Sequence, residues 1–66
     1  MSVRNLGGRI ARLRGARGLS QEALATRAGI HRVTLANIER GAKRPDLATL
    51  ERLARALRVP LADLLR

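Results

Sequence analysis

Cysteine, phenylalanine, tryptophan and tyrosine are all absent from this sequence of 66 residues. The lack of cysteine excludes disulfides and thiolate metal sites. Because His31 is the only histidine, we expect no histidine-based metal site either. The lack of aromatic rings removes the stacking platforms on which most single-strand and RNA-binding domains depend. Any hydrophobic core must therefore consist of Leu, Ile, Val and Ala.

Acidic residues are also few: the chain has five, against fourteen basic residues, and its net charge is +9. The carboxylates are scattered, and with two serines and one histidine they form no nucleophile–base pair or metal-binding cluster at a recognisable spacing. We therefore expect neither an enzyme nor a cofactor. Thirteen of the basic residues are arginine, a bias that a GC-rich genome would produce in any protein. The size of the excess charge nevertheless predicts a polyanionic partner, either nucleic acid or an anionic membrane surface.

Long apolar runs are missing as well, since none approaches the ~20 residues that a membrane-spanning helix needs. Residues 1–18 are rich in arginine and free of acidic residues, which superficially resembles a mitochondrial transit peptide. The apolar residues of this segment continue the pattern of the rest of the chain, however, so we interpret it as a structural helix. We expect a cytoplasmic protein without a membrane partner.

The spacing of apolar residues predicts five short helices and no strand, packed as a single domain over residues 1–66. The first helix has an i, i+4, i+7 stripe formed by Leu6, Ile10 and Leu13. Gly7 and Gly8 would weaken this helix, by about 0.5–1 kcal/mol each relative to alanine. The architecture is thus expected to be all-α.

Two further helices are separated by a short turn. Ser20 is a good N-cap for the second helix, and Gly29 is placed as the left-handed residue that ends it. The third helix is predicted from roughly His31 to Arg40, and Gly41 follows it. Because only about three residues separate these two helices, they cannot pack antiparallel and must cross at a steep angle, as in a helix-turn-helix.

The last two helices follow a basic loop. Asp46 is predicted to cap the fourth helix, and Pro60 is predicted at the first position of a short fifth helix over residues 61–65. The apolar stripe of the fourth helix comprises Leu47, Leu50, Leu53, Ala54 and Leu57.

The third helix has two unlike faces. At about 100° per residue, Leu35 and Ile38 fall on one side of it. Val33, Asn37 and Arg40 fall roughly opposite. An aliphatic pair would pin the helix to a core, whereas a valine, an asparagine and an arginine would point outward. This outer face is either chance surface composition or a surface that contacts a partner.

Residues 21–40, QEALATRAGIHRVTLANIER, resemble the helix-turn-helix motif of the phage repressor and Cro (XRE-like) family. Ala25 matches the small residue at which the two helices cross, and Gly29 matches the turn residue. The apolar positions of the motif are occupied by Leu24, Ala28, Ile30, Leu35 and Ile38. The resemblance covers essentially the whole chain. Leucine periodicity alone would fit any small helical bundle. Its combination with IERG, followed by basic residues, a proline and a capped helix, is not expected of a generic bundle.

The resemblance implies a lambda-repressor-like DNA-binding domain, in which the third helix lies in the major groove and the second braces it across the backbone. The base contacts that it implies come from Arg32, Val33, Ala36 and Asn37. Arginine can donate twice to guanine, asparagine can pair with N6 and N7 of adenine, and valine can contact the methyl group of thymine. The implied phosphate contacts come from Gln21, His31, Thr34, Arg40, Lys43 and Arg44. Alternatively, these side chains form an ordinary solvated surface.

Two further sets of residues are singled out. Arg14 and Glu39 occupy positions that in some relatives form an ion pair between helices one and three, which here would fix the angle of the recognition helix. The candidate dimer surface lies at the C-terminal end and comprises Val59, Leu61, Leu64 and Leu65. A twofold dimer would place two recognition helices about 34 Å apart on one face of DNA.

The implied function is a sequence-specific transcriptional regulator that binds a double-stranded DNA operator, as a homodimeric repressor or autoregulator on an inverted repeat. Its setting would be the nucleoid of a bacterial cytoplasm, with a bacterial or phage gene. Three alternatives stay open: an antitoxin with a toxin partner, a protein-interaction module or fragment of a larger regulator, and a surface-active basic peptide.

Overall fold

The computed structural model describes the backbone of residues 3–66 and the side chains of residues 5–66. Its helices are α1 (Val3–Ala16), α2 (Gln21–Ala28), α3 (Arg32–Glu39), α4 (Leu47–Leu57) and α5 (Leu61–Leu65). The described part contains no strand, which confirms the predicted all-α architecture of five helices. None of these helices is long and apolar enough to cross a membrane.

The core is aliphatic, as the composition requires. Helix α2 packs against α3 and α4, while α1 packs against α3 and α5. The buried side chains belong to Leu6, Ile10, Leu24, Ala25, Ala28, Leu35, Ile38, Leu50, Leu53, Ala54, Leu57 and Leu64. Within the described residues no charged or polar residue is buried. The apolar stripes of the separate helices therefore meet in one cluster.

The turn between α2 and α3 forms as predicted. The hydroxyl of Ser20 accepts a hydrogen bond of 3.0 Å from the Ala23 N–H and so caps α2. Gly29 adopts φ 72° and ψ 32°, a left-handed conformation that costs glycine nothing. The Ile30 N–H then donates to the Ala25 carbonyl at 3.0 Å, which closes the helix end. The left-handed residue Gly29 thus changes the direction of the chain before α3 begins at Arg32.

Helix α4 begins at an N-cap, as predicted. The Asp46 carboxylate accepts from the Thr49 N–H at 2.8 Å, and its hydrogen bonds with Thr49 hold the pKa of Asp46 below its usual value. Pro60 lies at the N-cap of α5, immediately before the helix begins, and not at its first helical position as predicted. Leu47 is 60% exposed, so the prediction that it belongs to the buried apolar stripe of α4 is wrong. Side chains lean toward the helix N-terminus, so that of the first residue leans off the packed face.

The C-terminal leucines do not all face solvent. Leu64 is fully buried in the core, so its prediction as a dimer contact is wrong. Helix α5 packs on both α1 and α4, and Leu64 lies on its packed side. A second chain therefore cannot contact the Leu64 side chain. Leu65 is 46% exposed. Val59 and Leu61 are partly buried against the core.

Gly7 has a structural role that the sequence did not indicate. It is buried where α1 meets the end of α3, and a Cβ atom built on it would lie less than 3.0 Å from the carbonyl oxygens of Ile38 and Glu39. Real Cβ atoms do not approach backbone atoms that closely. Gly8, by contrast, has no neighbouring atom within 4 Å of an added Cβ. The absence of a side chain at position 7 therefore permits the close approach of the two helices.

We expect Gly7→Ala to lower the free energy of unfolding by about 1–3 kcal/mol, because the added methyl overpacks a backbone contact. Gly8→Ala is the matched control and should raise it by about 0.5–1 kcal/mol through helix propensity alone. Urea denaturation followed by circular dichroism measures both. Equal stabilisation by the two substitutions would show that α1 can move away from α3 at no cost.

Candidate nucleic-acid interface

The outer face of α3 is exposed while its inner face is fixed. Leu35 and Ile38 are buried in the core and hold the helix in place. On the other side Val33 is 62% exposed. Arg32 is exposed, and Asn37 is partly exposed on the same outer surface. The helix therefore offers a rigid surface with one apolar group between polar ones.

Asn37 and Arg40 are joined by two hydrogen bonds on this surface. The Nε and Nη2 groups of Arg40 donate to Oδ1 of Asn37 at 3.1 and 2.9 Å. The two residues were expected to make separate contacts, Asn37 with a base and Arg40 with a phosphate. Their i, i+3 spacing, which brings side chains together on a helix, was the signal that could have revealed the pair.

The basic loop after α3 is attached to the end of the helix. The carbonyl oxygen of Asn37 accepts from the N–H groups of Ala42 and Lys43, at 2.9 and 3.2 Å. Pro45 is buried and anchors the loop, while Lys43 and Arg44 are exposed. The two cations are thus held close to the C-terminal end of the outer face of α3.

An ion pair connects α1 to α3. The Nε of Arg14 lies 2.7 Å from Oε2 of Glu39, and its Nη2 donates to Oε1 at 3.0 Å. The Glu39 side chain is only 6% exposed, and that of Arg14 is 21% exposed. The hydrogen bonds to Glu39 raise the pKa of Arg14 above its ordinary value. Arg14 also donates to the Leu19 carbonyl at 2.9 Å, so it holds the turn before α2 as well.

Gln21 extends this contact to α2. Its Nε2 donates to Oε1 of Glu39 at 3.0 Å, and its Oε1 accepts a long hydrogen bond of 3.5 Å from Arg32. The structure therefore brings together residues that were expected to bind phosphate, contact bases and form the ion pair. No sequence pattern indicates the link between Gln21 and Glu39, because it depends on how α2 crosses α3.

His31 lies at the N-cap of α3 and is exposed. Its backbone is extended, with φ −73° and ψ 146°, but its side chain makes no capping hydrogen bond. The imidazole therefore does not cap the beginning of α3. Thr34 and Ala36 are partly exposed on the same helix.

The basic residues around α3 lack acidic partners. Glu39 is paired with Arg14, and Asp63 lies 3.2 Å from Arg66 at the far end of the chain. Over residues 5–66, these are the ion pairs that form. None of the surrounding cations takes part in them: Arg32, Arg40, Lys43 and Arg44. Their positive charge is therefore directed at the surroundings.

Comparison with known proteins identifies relatives of the whole chain. Residues 10–64 match the HTH_3 family model, described as helix-turn-helix. An uncharacterised HTH-type transcriptional regulator, y4dJ, of Sinorhizobium fredii is 42% identical over 65 residues, which cover 97% of this chain and 84% of that protein.

Two solved structures are also similar. The restriction-modification controller protein C.AhdI from Aeromonas hydrophila has a TM-score of 0.93 and 37% identity, and the match covers 94% of each chain. The clp gene regulator ClgR from Corynebacterium glutamicum has a TM-score of 0.92 and 27% identity, over 96% of this chain and 67% of that one.

These relatives are transcription regulators rather than enzymes, and they confirm the resemblance carried by residues 21–40. The chain belongs to the XRE-like HTH_3 family of DNA-binding helix-turn-helix transcriptional regulators.

Proposed function

We propose that the chain recognises a specific double-stranded DNA operator by inserting α3 into the major groove, and that it acts there as a homodimeric repressor or autoregulator. The observation that carries this proposal is the outer face of α3. Val33 is 62% exposed beside the polar side chains of Arg32 and Asn37, on a helix that the buried Leu35 and Ile38 hold in place. A rigid helix about 10–12 Å wide fits a major groove about 12 Å wide.

The base contacts would come from the outward side chains of α3. Guanidinium and carboxamide groups form hydrogen bonds with base edges, and an aliphatic group contacts the methyl of thymine, the one apolar feature of the groove. The proposed set is Arg32, Val33, Ala36 and Asn37.

Phosphate contacts would flank this set at both ends of α3. On one side they would come from the N-terminus of α2, where Gln21 has a second amide hydrogen beyond the one given to Glu39. On the other side they would come from the loop that the Asn37 carbonyl holds against the helix. The proposed set is Gln21, His31, Thr34, Arg40, Lys43 and Arg44. Such contacts position a protein on DNA without selecting sequence.

The dimer surface would be formed by Leu65 together with the exposed parts of Val59 and Leu61. A half-site contacted by one α3 offers few base pairs, and a twofold dimer doubles that number over half-sites about one helical turn apart. The controller protein and the other regulators that this chain resembles support a role on DNA. We place this role on the nucleoid, with residues 1–66 acting as one binding unit.

The function is tested by selection from a random double-stranded DNA library at near-physiological salt. Enrichment of an inverted repeat with half-sites about one helical turn apart is the expected result. Strong binding without enrichment would contradict sequence-specific recognition. In that case the basic charge alone would explain the binding, and a protein partner such as a toxin would have to be sought.

Val33 is expected to contact a thymine methyl group in the selected site. Replacing that thymine by uracil removes only the methyl, and should weaken wild-type binding by about 0.8 kcal/mol, the value of one buried methyl-sized group. Val33→Ala should bind the thymine site more weakly and respond little to the replacement. Titration of both proteins on both DNAs gives the coupling directly. An equal response to uracil in the two proteins would remove Val33 from the contact.

Lys43→Ala is expected to weaken binding to all sequences alike, because a phosphate contact carries no sequence information. The slope of log K against log salt should fall by about one. Binding is measured at four or five salt concentrations on the selected site and on scrambled DNA. An unchanged slope would show that Lys43 touches no phosphate.

Leu65→Asp is expected to convert the dimer to a monomer, since it places a charge in an apolar contact. The matched control is Leu47→Asp, which changes another exposed leucine at the beginning of α4, outside the proposed surface. Sedimentation at micromolar concentration, with and without operator DNA, measures the mass of each protein. A monomeric wild type under both conditions would contradict the dimer.

A further inference from the structure

The carboxamide of Asn37 has a fixed orientation. Both the Nε and Nη2 groups of Arg40 point at its Oδ1, at 3.1 and 2.9 Å. A guanidinium group only donates hydrogen bonds, so the amide oxygen, and not the amide nitrogen, must face it. The nitrogen of Asn37 therefore points away from Arg40.

The two bonds from Arg40 also engage the one acceptor of the Asn37 side chain. Two N–H groups of one guanidinium converge on the amide oxygen, which is the single side-chain acceptor of asparagine. The amide nitrogen has two hydrogens, and neither is donated to an acceptor within residues 5–66. Asn37 thus offers its surroundings two donors, whereas its oxygen is engaged by a charged neighbour.

Arg40 is itself held in position by the end of α3. Its N–H donates to the Ala36 carbonyl at 3.1 Å, and the following Gly41 N–H donates to the Ile38 carbonyl at 3.1 Å. Its guanidinium is thus attached to a fixed point of the backbone, one helical turn from Asn37, at the i, i+3 spacing that brings side chains into contact. The pair is therefore part of the rigid outer face of α3.

The edges of the bases differ in what they offer to a donor. In the major groove guanine presents two acceptors, O6 and N7, whereas adenine presents the N7 acceptor beside the N6 donor group. The usual pairing of asparagine with adenine requires a free amide oxygen to accept from N6. Cytosine presents only a donor there, and thymine presents one acceptor. A group that can only donate fits guanine best.

We propose, on the basis of the proposed DNA-binding function, that Arg40 is a positioning residue that sets the base preference of Asn37. By occupying the amide oxygen, it makes Asn37 select guanine in place of the adenine expected from the sequence. This role is compatible with a phosphate contact, because Nη1 of Arg40 takes no part in the bonds to Asn37. The same guanidinium would act in both ways.

The proposal is tested by measuring relative affinity for all four bases at each position of the selected site. The position contacted by Asn37 is the one at which Asn37→Ala loses its preference. There the wild type should favour guanine over adenine by roughly tenfold, within the range for one good base contact. Arg40→Ala frees the amide oxygen and should shift the preference to adenine.

Two further variants separate this role from a phosphate contact. Lys43→Ala removes a neighbouring cation without touching the Asn37 side chain, and should lower affinity while leaving the ratio of guanine to adenine unchanged. Arg40→Lys keeps the charge but supplies one donor group in place of a two-pronged fork. It should retain most of the overall affinity while the ratio falls severalfold.

Three results would overturn the proposal. The first is a wild-type preference for adenine or cytosine at the position that Asn37→Ala identifies, which does not depend on any variant of Arg40. The second is a uniform loss on all sequences in Arg40→Ala, with helicity retained and the base profile unchanged, which would leave Arg40 as a phosphate contact only. The third is a wild type that selects no sequence at all, which would overturn the proposed function as well.

Discussion

The orientation of α3 depends on a carboxylate that is almost completely shielded from water. Glu39 is 6% exposed, and desolvating a carboxylate costs several kcal/mol unless opposite charge and hydrogen bonds replace its hydration. Three N–H groups do so: two from Arg14 on α1 and one from Gln21 on α2. Because these donors lie on different helices, Glu39 is satisfied only when α1, α2 and α3 are correctly arranged. The gain is therefore in the orientation of α3 more than in net stability.

The same junction requires a residue without a side chain at position 7. Gly7 lets α1 reach the terminal carbonyl groups of α3, so that Arg14, two turns further along α1, can span the distance to Glu39. A larger side chain at position 7 would separate the helices and leave the Glu39 carboxylate short of donors. The close packing at Gly7 and the ion pair of Glu39 thus require the same arrangement of α1 and α3. This explains why a glycine is tolerated inside a helix.

The sequence predicted those features that depend on neighbours along the chain. The caps at Ser20 and Asp46 and the left-handed turn at Gly29 are local, and they formed as expected. Contacts between helices were harder to predict. Whether Leu47 and Leu64 face solvent depends on what lies beside α4 and α5. The need for glycine at position 7 depends on how closely the end of α3 approaches α1. The ion pair of Arg14 and Glu39 was expected only because the family resemblance supplied it, since a separation of 25 residues carries no periodic signal. The DNA contacts themselves stay predictions.

The donors and acceptors around α3 are divided in a consistent way. Three side-chain acceptors around α3 are engaged within the protein: the Glu39 carboxylate by Arg14 and Gln21, the Gln21 oxygen by a long hydrogen bond from Arg32, and the Asn37 oxygen by Arg40. The groups left for a partner are N–H donors, positive charge and the aliphatic surface of Val33. In the major groove the complementary surface is one of acceptors and methyl groups bordered by phosphates. Under the proposed function, the internal hydrogen bonds that orient α3 therefore also limit which base edges it can accept, because they consume the acceptors that cytosine N4 and adenine N6 would need.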